Sequence, residues 1–472
     1  MSIDVTIRKQ KIKVVTTSEQ YALQIRKRLN DQLQYDLIAI LESLFSGSFS
    51  SDEYITIDKL KIDLGTVTPD VFEQHFVELI APKLKSELQK LAEAHESTFL
   101  QQEQLLDDHV NTSISSNSKQ GQEIRALLYF LMHGIYPWWY KKEQQQTPEA
   151  LLANLSKEAI DTLLLNILSL KNYRSIEEAA KVTDRLFIHL PPAQNERLIY
   201  QLLNLYNSAS LTNNIDALIK NKQDLIQSFS ITAKEFYKSI FQLIIDENTA
   251  EDQHVIEHFI KWLNNNQKKS PDEASGIINS STLKEALKND ADVNKKKKQA
   301  SSETEQEGIY ISNAGLILVC PFLPSFFKEV SLLNTQNQFI SVAAQQKAAV
   351  LLYYLQCNSE SYNEWEMAFN KIICGIPVEE ILAAEITIAE KEKEECNALL
   401  QSIVDYWDAL RGASTEAVQN TFILREGKIS HKEDHWLLQV ERTGVDILLE
   451  RLPWSYSTIR LPWLNHLIYT EW

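Results

Sequence analysis

Glycine is scarce in this sequence, and the glycine-rich motifs that bind phosphate are missing. Only 11 glycines occur among 472 residues, and neither G-x-G-x-x-G nor G-x-x-x-x-G-K-[ST] is present. Such loops need glycine because their backbone N–H groups must approach the phosphate closely. The shortage therefore excludes the common nucleotide-binding loops, and we predict no nucleotide-driven chemistry and no cofactor.

Cysteine is rarer still, and no long apolar run is present. The 4 cysteines lie far apart and form no C-x-x-C pair, so we predict reduced thiols and no zinc finger. The longest apolar stretch, residues 315–327, is interrupted by prolines and is shorter than the ~20 residues of a membrane-spanning helix. The first residues contain no apolar signal core. We predict a cytoplasmic protein without membrane insertion.

Positive charge is in the minority. The chain has 64 acidic residues against 47 Lys and Arg, which gives a net charge of −17 at pH 7. The field of such a chain repels polyanions, including nucleic acid. The short basic run at 295–298 lies in a polar stretch and is typical of a solvated linker. We therefore predict no nucleic acid partner.

The sequence offers no complete set of catalytic or metal-binding residues. Residues 254–258 match H-x-x-E-H, which on a helix places two imidazoles one turn apart, but no third ligand is identifiable. A second histidine pair, at 431 and 435, falls in the turn of a predicted hairpin. No serine or cysteine lies in a G-x-S-x-G motif. We predict no catalytic residue, no metal site and no enzymatic activity.

Helix signals dominate, and strand signals are confined to the two ends of the sequence. Alternation at 5–15 and 54–64, each followed by a helical pattern, predicts an N-terminal β-α-β-α unit. Helix starts at Thr147 and Thr232 predict a central array of helical hairpins. Alternation and turn signals at 421–454 predict a small antiparallel β element that finishes a C-terminal helical domain. The predicted fold class is mainly α with α+β ends.

Composition divides the sequence into three predicted domains and two linkers. The linkers are rich in Ser, Asn and charged side chains, which bury too little apolar surface to offset the entropy of ordering. The predicted segments are a small α/β platform at 1–108, a linker at 109–121, the helical array at 122–264, a disordered linker at 265–308, and a helical domain with a C-terminal β-hairpin and a Pro-Trp tail at 309–472.

The motif Arg-Leu-Pro-Trp occurs twice near the end of the sequence, at 451–454 and 460–463. Proline fixes φ and removes a backbone donor, so neither copy can lie inside a helix or a central strand. Indole rings held in this way fill a hydrophobic hole of their own domain or bind a partner, and both interpretations stay open. The residues predicted to form a structural strap or a partner-binding surface are Trp138, Trp139, Arg451, Pro453, Trp454, Arg460, Pro462, Trp463 and Trp472.

Four stretches of the sequence together resemble the contractile injection system tape measure protein family. They are IDKLKIDLG at 57–65, FLMHGIYPWW at 130–139, GLILVCPFLPSFF at 315–327 and DILLERLPWSYSTIRLPWLNHLIYTEW at 446–472. The doubled Leu-Pro-Trp with its terminal Glu-Trp is the most specific element. The sequence departs from the family at Cys320, where His is commoner, and at Tyr136, where Leu is commoner. Neither departure concerns a catalytic group.

The resemblance implies a non-enzymatic assembly protein of a phage-tail-like particle. Its implied partners are inner tube, baseplate or cap proteins, self-association is left open, and its implied location is the cytoplasm or the assembled particle. As a tape measure it would set the length of the inner tube and sheath. One continuous helix of 472 residues reaches only ~700 Å, so a direct ruler needs end-to-end copies or an opened chain. The alternative is a folded adaptor or chaperone at the baseplate, at the cap or in cargo loading.

Overall fold

The N-terminal quarter of the chain is described only in short pieces. The computed structural model describes residues 15–16, 20–25, 62–68, 78–87, 119–140, 146–173, 176–246, 259, 308–383 and 386–472. Most of the predicted β-α-β-α unit and of the two predicted linkers lies outside these residues. Residues 20–25 and 78–87 are helical, but 62–64, the end of the predicted second strand, form no β ladder. The described residues therefore do not support the β-α-β-α unit.

The chain divides into two compact units. The first consists of Met1–Ala126 and Trp139–Asn166, and the second consists of Leu127–Trp138 and Ile167–Trp472. The division predicted from composition stays a prediction, because two of its boundaries, after 108 and after 264, lie outside the described residues. Across the described ranges, no helix is both long enough and apolar enough to cross a bilayer.

Three helices provide most of the described part of the first unit. They are α1 (Lys119–His133), α2 (Pro148–Asn154) and α3 (Lys157–Tyr173), of which α1 and α3 continue into the second unit. The Thr147 side chain caps α2 by accepting a hydrogen bond from the Ala150 N–H. Pro148 follows at the first helical position, where its missing N–H has no intrahelical partner to lose. The predicted helix start at Thr147 is confirmed.

A series of helices follows in the second unit. They are α4 (Ile176–His189), α5 (Asn195–Tyr206), α6 (Ala209–Lys220), α7 (Lys222–Phe229) and α8 (Ala233–Asp246). Helix α8 begins with a reciprocal capping box. The Glu235 N–H donates to Thr232 Oγ1 at 3.2 Å, and the Thr232 N–H donates to Glu235 Oε2 at 2.7 Å. The predicted start at Thr232 is therefore confirmed in atomic detail.

The C-terminal part of the second unit packs further helices around a buried central one. They are α9 (Leu323–Glu329), α10 (Val342–Cys357), α11 (Ala368–Ile373), α12 (Glu390–Tyr406) and α13 (Thr415–Val418). Helix α10 is apolar around most of its circumference, and Ala348, Leu351 and Leu355 are completely buried. One hydrophobic cluster includes both Ile135 and Ile468. Residues from distant parts of the second unit thus share a core.

The C-terminal β element is larger than predicted and is not purely antiparallel. Its strands are β1 (Ile309–Ile311), β2 (Gly427–His431), β3 (His435–Val440), β4 (Thr458–Ile459) and β5 (Leu467–Glu471), in the order β1-β2-β3-β5-β4. The β2–β3 hairpin corresponds to the predicted one. Strand β5, however, runs parallel to β3, with Ile468 opposite Trp436. The prediction missed this pairing because a parallel partner is not joined by a short turn.

Candidate functional site

Both Arg-Leu-Pro-Trp copies lie outside α-helices and strands, as their prolines predict. The first copy begins at the end of a 3₁₀ helix, Gly444–Arg451, and the second directly follows β4. In each copy the Arg and Pro side chains are exposed, whereas the Trp side chain is half-buried. We define the tail as residues 452–472. The tail lays its indole rings against the rest of the C-terminal fold.

Trp454 is held by one hydrogen bond and by ring contacts. Its indole N–H donates to the Leu318 carbonyl oxygen at 3.0 Å. Its ring packs edge-on against Phe322 and Trp407, with centroid distances of 4.9 Å and 6.3 Å. Trp407 is completely buried. The first copy therefore covers the core at the turn that precedes α9.

Trp463 is held in the same way at a different place. Its indole N–H donates to the Ile373 carbonyl oxygen at 2.8 Å, at the end of α11. Its ring centroid lies 5.1 Å from that of Phe339. The Gln338 side-chain amide donates to the Pro462 carbonyl oxygen at 2.8 Å. The ring centroid of Trp463 also lies 5.5 Å from that of Phe327, so the second copy, like the first, has one indole hydrogen bond and two ring contacts.

Trp472, the last residue of the tail, packs its indole ring against charged side chains. Its indole N–H donates to Asp446 Oδ2 at 3.1 Å, and the Arg425 guanidinium carbon lies 5.7 Å from the centre of its ring. Arg442 Nη2 donates to the backbone oxygen of Trp472 at 2.7 Å. Arg425 also donates to Asp446 Oδ1 at 2.6 Å. The three tail indoles therefore contact three different parts of the fold.

The other predicted tryptophans are not brought into one site. Gly134, with a φ of +71°, ends α1 in the left-handed conformation, and Trp138 and Trp139 follow it. Both indoles are half-buried. Trp138 belongs to the second compact unit and Trp139 to the first, where the Arg125 guanidinium lies 5.6 Å from its ring centre. A role of this pair in partner binding stays a prediction.

Truncation of either tail indole should destabilise the protein. We expect Trp454→Ala and Trp463→Ala each to lower the free energy of unfolding by about 2–4 kcal/mol, because buried ring area is lost and a carbonyl acceptor loses its donor. The acceptors are those of Leu318 and Ile373. Urea unfolding of the full chain, followed by tryptophan fluorescence and far-UV circular dichroism, measures the change.

The neighbouring arginines provide matched controls for these indoles. Arg451 and Arg460 precede the two Leu-Pro-Trp sequences and are exposed. We expect Arg451→Ala and Arg460→Ala to change the free energy of unfolding by no more than about 0.5 kcal/mol. Equal unfolding midpoints for the Trp and Arg variants would contradict a structural role of the indoles.

A buried ion cluster that the sequence analysis missed lies elsewhere in the second unit. Glu364, just before α11, is 7% exposed, and it faces Arg185 of α4 and Lys371 of α11, both 0% exposed. Arg185 Nη2 and Nε donate to Glu364 Oε1 at 3.0 Å and 3.1 Å, and Lys371 Nζ donates at 3.3 Å. His189 Nε2 lies 3.7 Å from Glu364 Oε2. One carboxylate thus faces two buried cations.

Backbone oxygens also accept hydrogen bonds from the two cations of the cluster. Arg185 Nη2 donates to the Glu379 carbonyl at 2.9 Å, and Lys371 Nζ donates to the Val378 carbonyl at 2.9 Å. A Cβ on Gly134 would lie 2.9 Å from Glu364 Oε1, so the backbone approaches this carboxylate too closely for a side chain there. The cluster therefore joins α4, the turn after α1 and the segment around α11.

The cluster shifts the pKa values of its members. Burial by itself raises the pKa of Glu364, but the neighbouring His189 and the charges of Lys371 and Arg185 outweigh it and lower the pKa to about 2. Burial lowers the pKa of Lys371 to about 8, although Glu364 opposes this change. Glu364 therefore remains ionised throughout the neutral pH range.

The lowered pKa of Glu364 predicts a loss of stability in acid. Its ordinary pKa is 4.5 and its folded value is about 2, so the unfolded chain binds a proton first as the pH falls. We expect a contribution of about 3 kcal/mol that is complete above pH 4.5 and is lost as the pH falls from 4.5 to 2. Urea unfolding of the full chain at several pH values measures it. Glu364→Gln should flatten this part of the profile, and an unchanged slope would contradict the assignment.

Three of the four cysteines are buried. Burial raises the pKa values of three thiols, so they stay protonated and are poor nucleophiles; they belong to Cys320, Cys374 and Cys396. Within the described ranges, no three His, Cys, Asp or Glu side chains converge to hold a metal. The H-x-x-E-H sequence at 254–258 lies outside those ranges. His431 and His435 flank the β2–β3 turn, in agreement with the predicted hairpin.

Comparisons with known proteins give one decisive result. No curated protein and no solved structure matches the chain. A family model, described as contractile injection system tape measure protein, matches residues 4–472. This match covers nearly the whole chain and includes both Leu-Pro-Trp copies and the Pro-Trp-Trp turn. The chain therefore belongs to the contractile injection system tape measure protein family.

Proposed function

We propose that this protein is a non-enzymatic assembly protein that builds the contractile injection particle as a folded adaptor at the inner tube, baseplate or cap. Membership of the family supports a role in a contractile injection system. The shared core of the second unit supports the folded state, because one hydrophobic cluster includes both Ile135 and Ile468. Opening a folded domain costs about 5–15 kcal/mol. An extended ruler would have to recover this free energy from contacts with the tube. Before incorporation into the particle, the protein resides in the cytoplasm.

The description of the family favours a second function, in which the protein sets the length of the inner tube and sheath. In this function several folded copies lie end to end, or the chain opens inside the tube. The net charge of −17 would then suit a positively charged lumen. The two functions differ in whether the length of this chain determines the length of the tube.

Tube length in particles built with lengthened chains separates the two functions. Helix-forming segments of about 14 and about 28 residues are inserted near residue 280, in the polar stretch at 265–308. A direct ruler should lengthen the tube by about 20 Å and about 40 Å for each copy in the path. An adaptor should leave the length unchanged, as measured by electron microscopy of negatively stained particles. The control is Trp463→Ala, which leaves the chain length unchanged. Particles built with this variant show how far instability alone lowers the particle count.

We propose the exposed side chains of the two repeated motifs as the contacts of the adaptor with its partners. Arg451, Pro453, Arg460 and Pro462 face water, whereas the indoles beside them face the fold. Exposed arginines at the rim of an interface speed association with an acidic partner surface. Arg451→Ala combined with Arg460→Ala should therefore keep the wild-type unfolding midpoint and reduce the number of assembled particles several-fold. A normal particle count would contradict this contact surface.

A further inference from the structure

Two histidines meet at one end of the C-terminal sheet. His431 is the last residue of β2, and His466 directly precedes β5. Both belong to the face that carries Trp436, because His431 is opposite Trp436, Trp436 is opposite Ile468, and residues two apart in an extended chain share a face. The centres of the two imidazole rings lie 5.1 Å apart, with an angle of 88° between the ring planes. The sequence did not indicate this pair, because the two residues are far apart along the chain.

A backbone contact determines which nitrogen of His466 carries the proton. His466 Nδ1 lies 3.1 Å from the Asp434 carbonyl oxygen. A carbonyl oxygen only accepts hydrogen bonds, so Nδ1 is the donor, and Nε2 of the neutral ring keeps its lone pair. Histidines that bind metals are usually oriented in this way, by a hydrogen bond from the other ring nitrogen to a backbone carbonyl or a carboxylate. His466 therefore presents Nε2 as a metal ligand.

The pair is accessible to water and lies beside a negative charge. His431 is half-buried, with its ring centre 4.7 Å from that of Trp436, and His466 is exposed. An ion can therefore reach both rings from solvent. The hydrogen bond between His435 Nδ1 and Asp434 Oδ1, at 2.6 Å, lowers the pKa of Asp434. Asp434 thus stays ionised at neutral pH, and its charge favours a cation at this end of the sheet.

The distance between the two rings matches that of two imidazoles on one metal ion. A zinc–nitrogen bond of about 2.0–2.1 Å places the ion roughly 3.2 Å from each ring centre, and two ring centres at the tetrahedral angle are then roughly 5 Å apart. The observed distance is 5.1 Å. Rotation of the two side chains is therefore enough to direct a nitrogen of each ring at a shared ion, and the backbone does not have to move.

From this geometry we infer that His431 and His466 bind one divalent transition-metal ion of the zinc type. Imidazole nitrogen is a preferred ligand of such ions. In the part of the chain that the structure describes, no third protein ligand converges on the pair, so water fills the remaining positions. The bound ion links the β2–β3 hairpin to the start of β5. The structure thus favours a metal site that the sequence did not predict, and the site does not depend on the proposed function.

Zinc titration of the full chain tests the site. Every protein carries His254→Ala and His258→Ala, so that the H-x-x-E-H sequence contributes no ligand. Calorimetric titration with zinc chloride at about pH 7.5, where imidazoles are mostly neutral, should give one bound ion per chain. We expect His431→Ala and His466→Ala each to weaken binding by about tenfold or more. Binding that is equally tight in both variants and in the starting protein would overturn the inference.

His435 provides the matched control. Its ring packs edge-on against Tyr469, with the centroids 4.9 Å apart, and it lies on the opposite face of β3 from Trp436. We expect His435→Ala to change the affinity for zinc by less than about twofold. A loss as large as that of His466→Ala would show that zinc binds elsewhere on the hairpin, and this would also overturn the assignment.

Two further measurements separate loss of a ligand from loss of the fold. Without zinc, His431→Ala and His466→Ala should keep the urea midpoint of the starting protein, and zinc should raise the midpoint of the starting protein alone, because it binds the folded chain. With one equivalent of copper sulfate, electron paramagnetic resonance should show coupling to two imidazole nitrogens in the starting protein and to one in each variant. A copper spectrum without imidazole coupling would contradict the site.

Discussion

Glu364→Gln is expected to lower the free energy of unfolding by about 3–5 kcal/mol, since removing one partner of a buried ion cluster leaves uncompensated charge in the interior. The substitution keeps the shape of the side chain and removes its charge. Arg185 and Lys371, which are 0% exposed, then face each other without a carboxylate between them. Urea unfolding of the full chain at pH 7, followed by far-UV circular dichroism, measures the loss.

A surface ion pair in the same unit provides the matched control. Glu380 accepts from Lys181 at 2.7 Å, but the two side chains are 41% and 40% exposed. We expect Glu380→Gln to cost less than about 1 kcal/mol, because water screens the pair and solvates each charge alone. If Glu364→Gln and Glu380→Gln have the same effect, the buried cluster is not what stabilises this region.

An apolar replacement of the whole cluster distinguishes the cost of breaking it from its net contribution. We expect the triple variant Arg185→Met, Glu364→Leu and Lys371→Met to be more stable than Glu364→Gln alone, because no charge is then buried without a partner. The same urea experiment compares the two. A triple variant that unfolds at lower urea than Glu364→Gln would mean that the cluster stabilises through more than charge compensation.

Gly315→Ala is expected to cost more than about 4 kcal/mol and to leave little folded protein, because the site has no room for one methyl group. A Cβ at this position would lie 1.6 Å from the Phe422 carbonyl oxygen and 2.8 Å from Ile423 Cα. Both contacts are with backbone atoms, so no change of rotamer relieves them. The yield of soluble full-length protein and its far-UV circular dichroism measure the effect.

Gly444 provides the control for this substitution. A Cβ on Gly444 would meet no atom within 4 Å, and its φ is not in the left-handed region. We expect Gly444→Ala to change the free energy of unfolding by no more than about 0.5 kcal/mol. Soluble, cooperatively unfolding Gly315→Ala protein with the same midpoint as Gly444→Ala would contradict the close packing of residues 314–318 against 419–423.

Features that depend on a few neighbouring residues were predictable from the sequence. The capping box from Thr232 to Glu235 forms within one helical turn, so its hydrogen bonds do not depend on tertiary packing. Proline acts on its own backbone, which is why both Leu-Pro-Trp copies were correctly placed outside helices and central strands. The β2–β3 hairpin joins neighbouring strands and was predicted for the same reason.

The predicted site residues show what local sequence patterns cannot predict, namely contacts between residues that lie far apart in the sequence. The repeated motif marked Trp454 and Trp463, but the sequence did not indicate which surface each indole would meet. Their acceptors, the carbonyl oxygens of Leu318 and Ile373, are 136 and 90 residues away along the chain. Any backbone carbonyl can accept an indole N–H, so residue type carries no signal for the choice. The packing of distant segments determines which carbonyl oxygen accepts each indole N–H.

The sequence by itself determined the family, the local helix starts and the irregular tail, because each follows from motifs or from contacts between near neighbours. Only the tertiary structure decided that β5 lies parallel to β3 and that Glu364 is buried with Arg185, a residue 179 positions away. A buried and an exposed glutamate look alike in a sequence rich in charge. What separates them is the free energy of desolvation, which depends on the partners that folding brings within hydrogen-bonding distance.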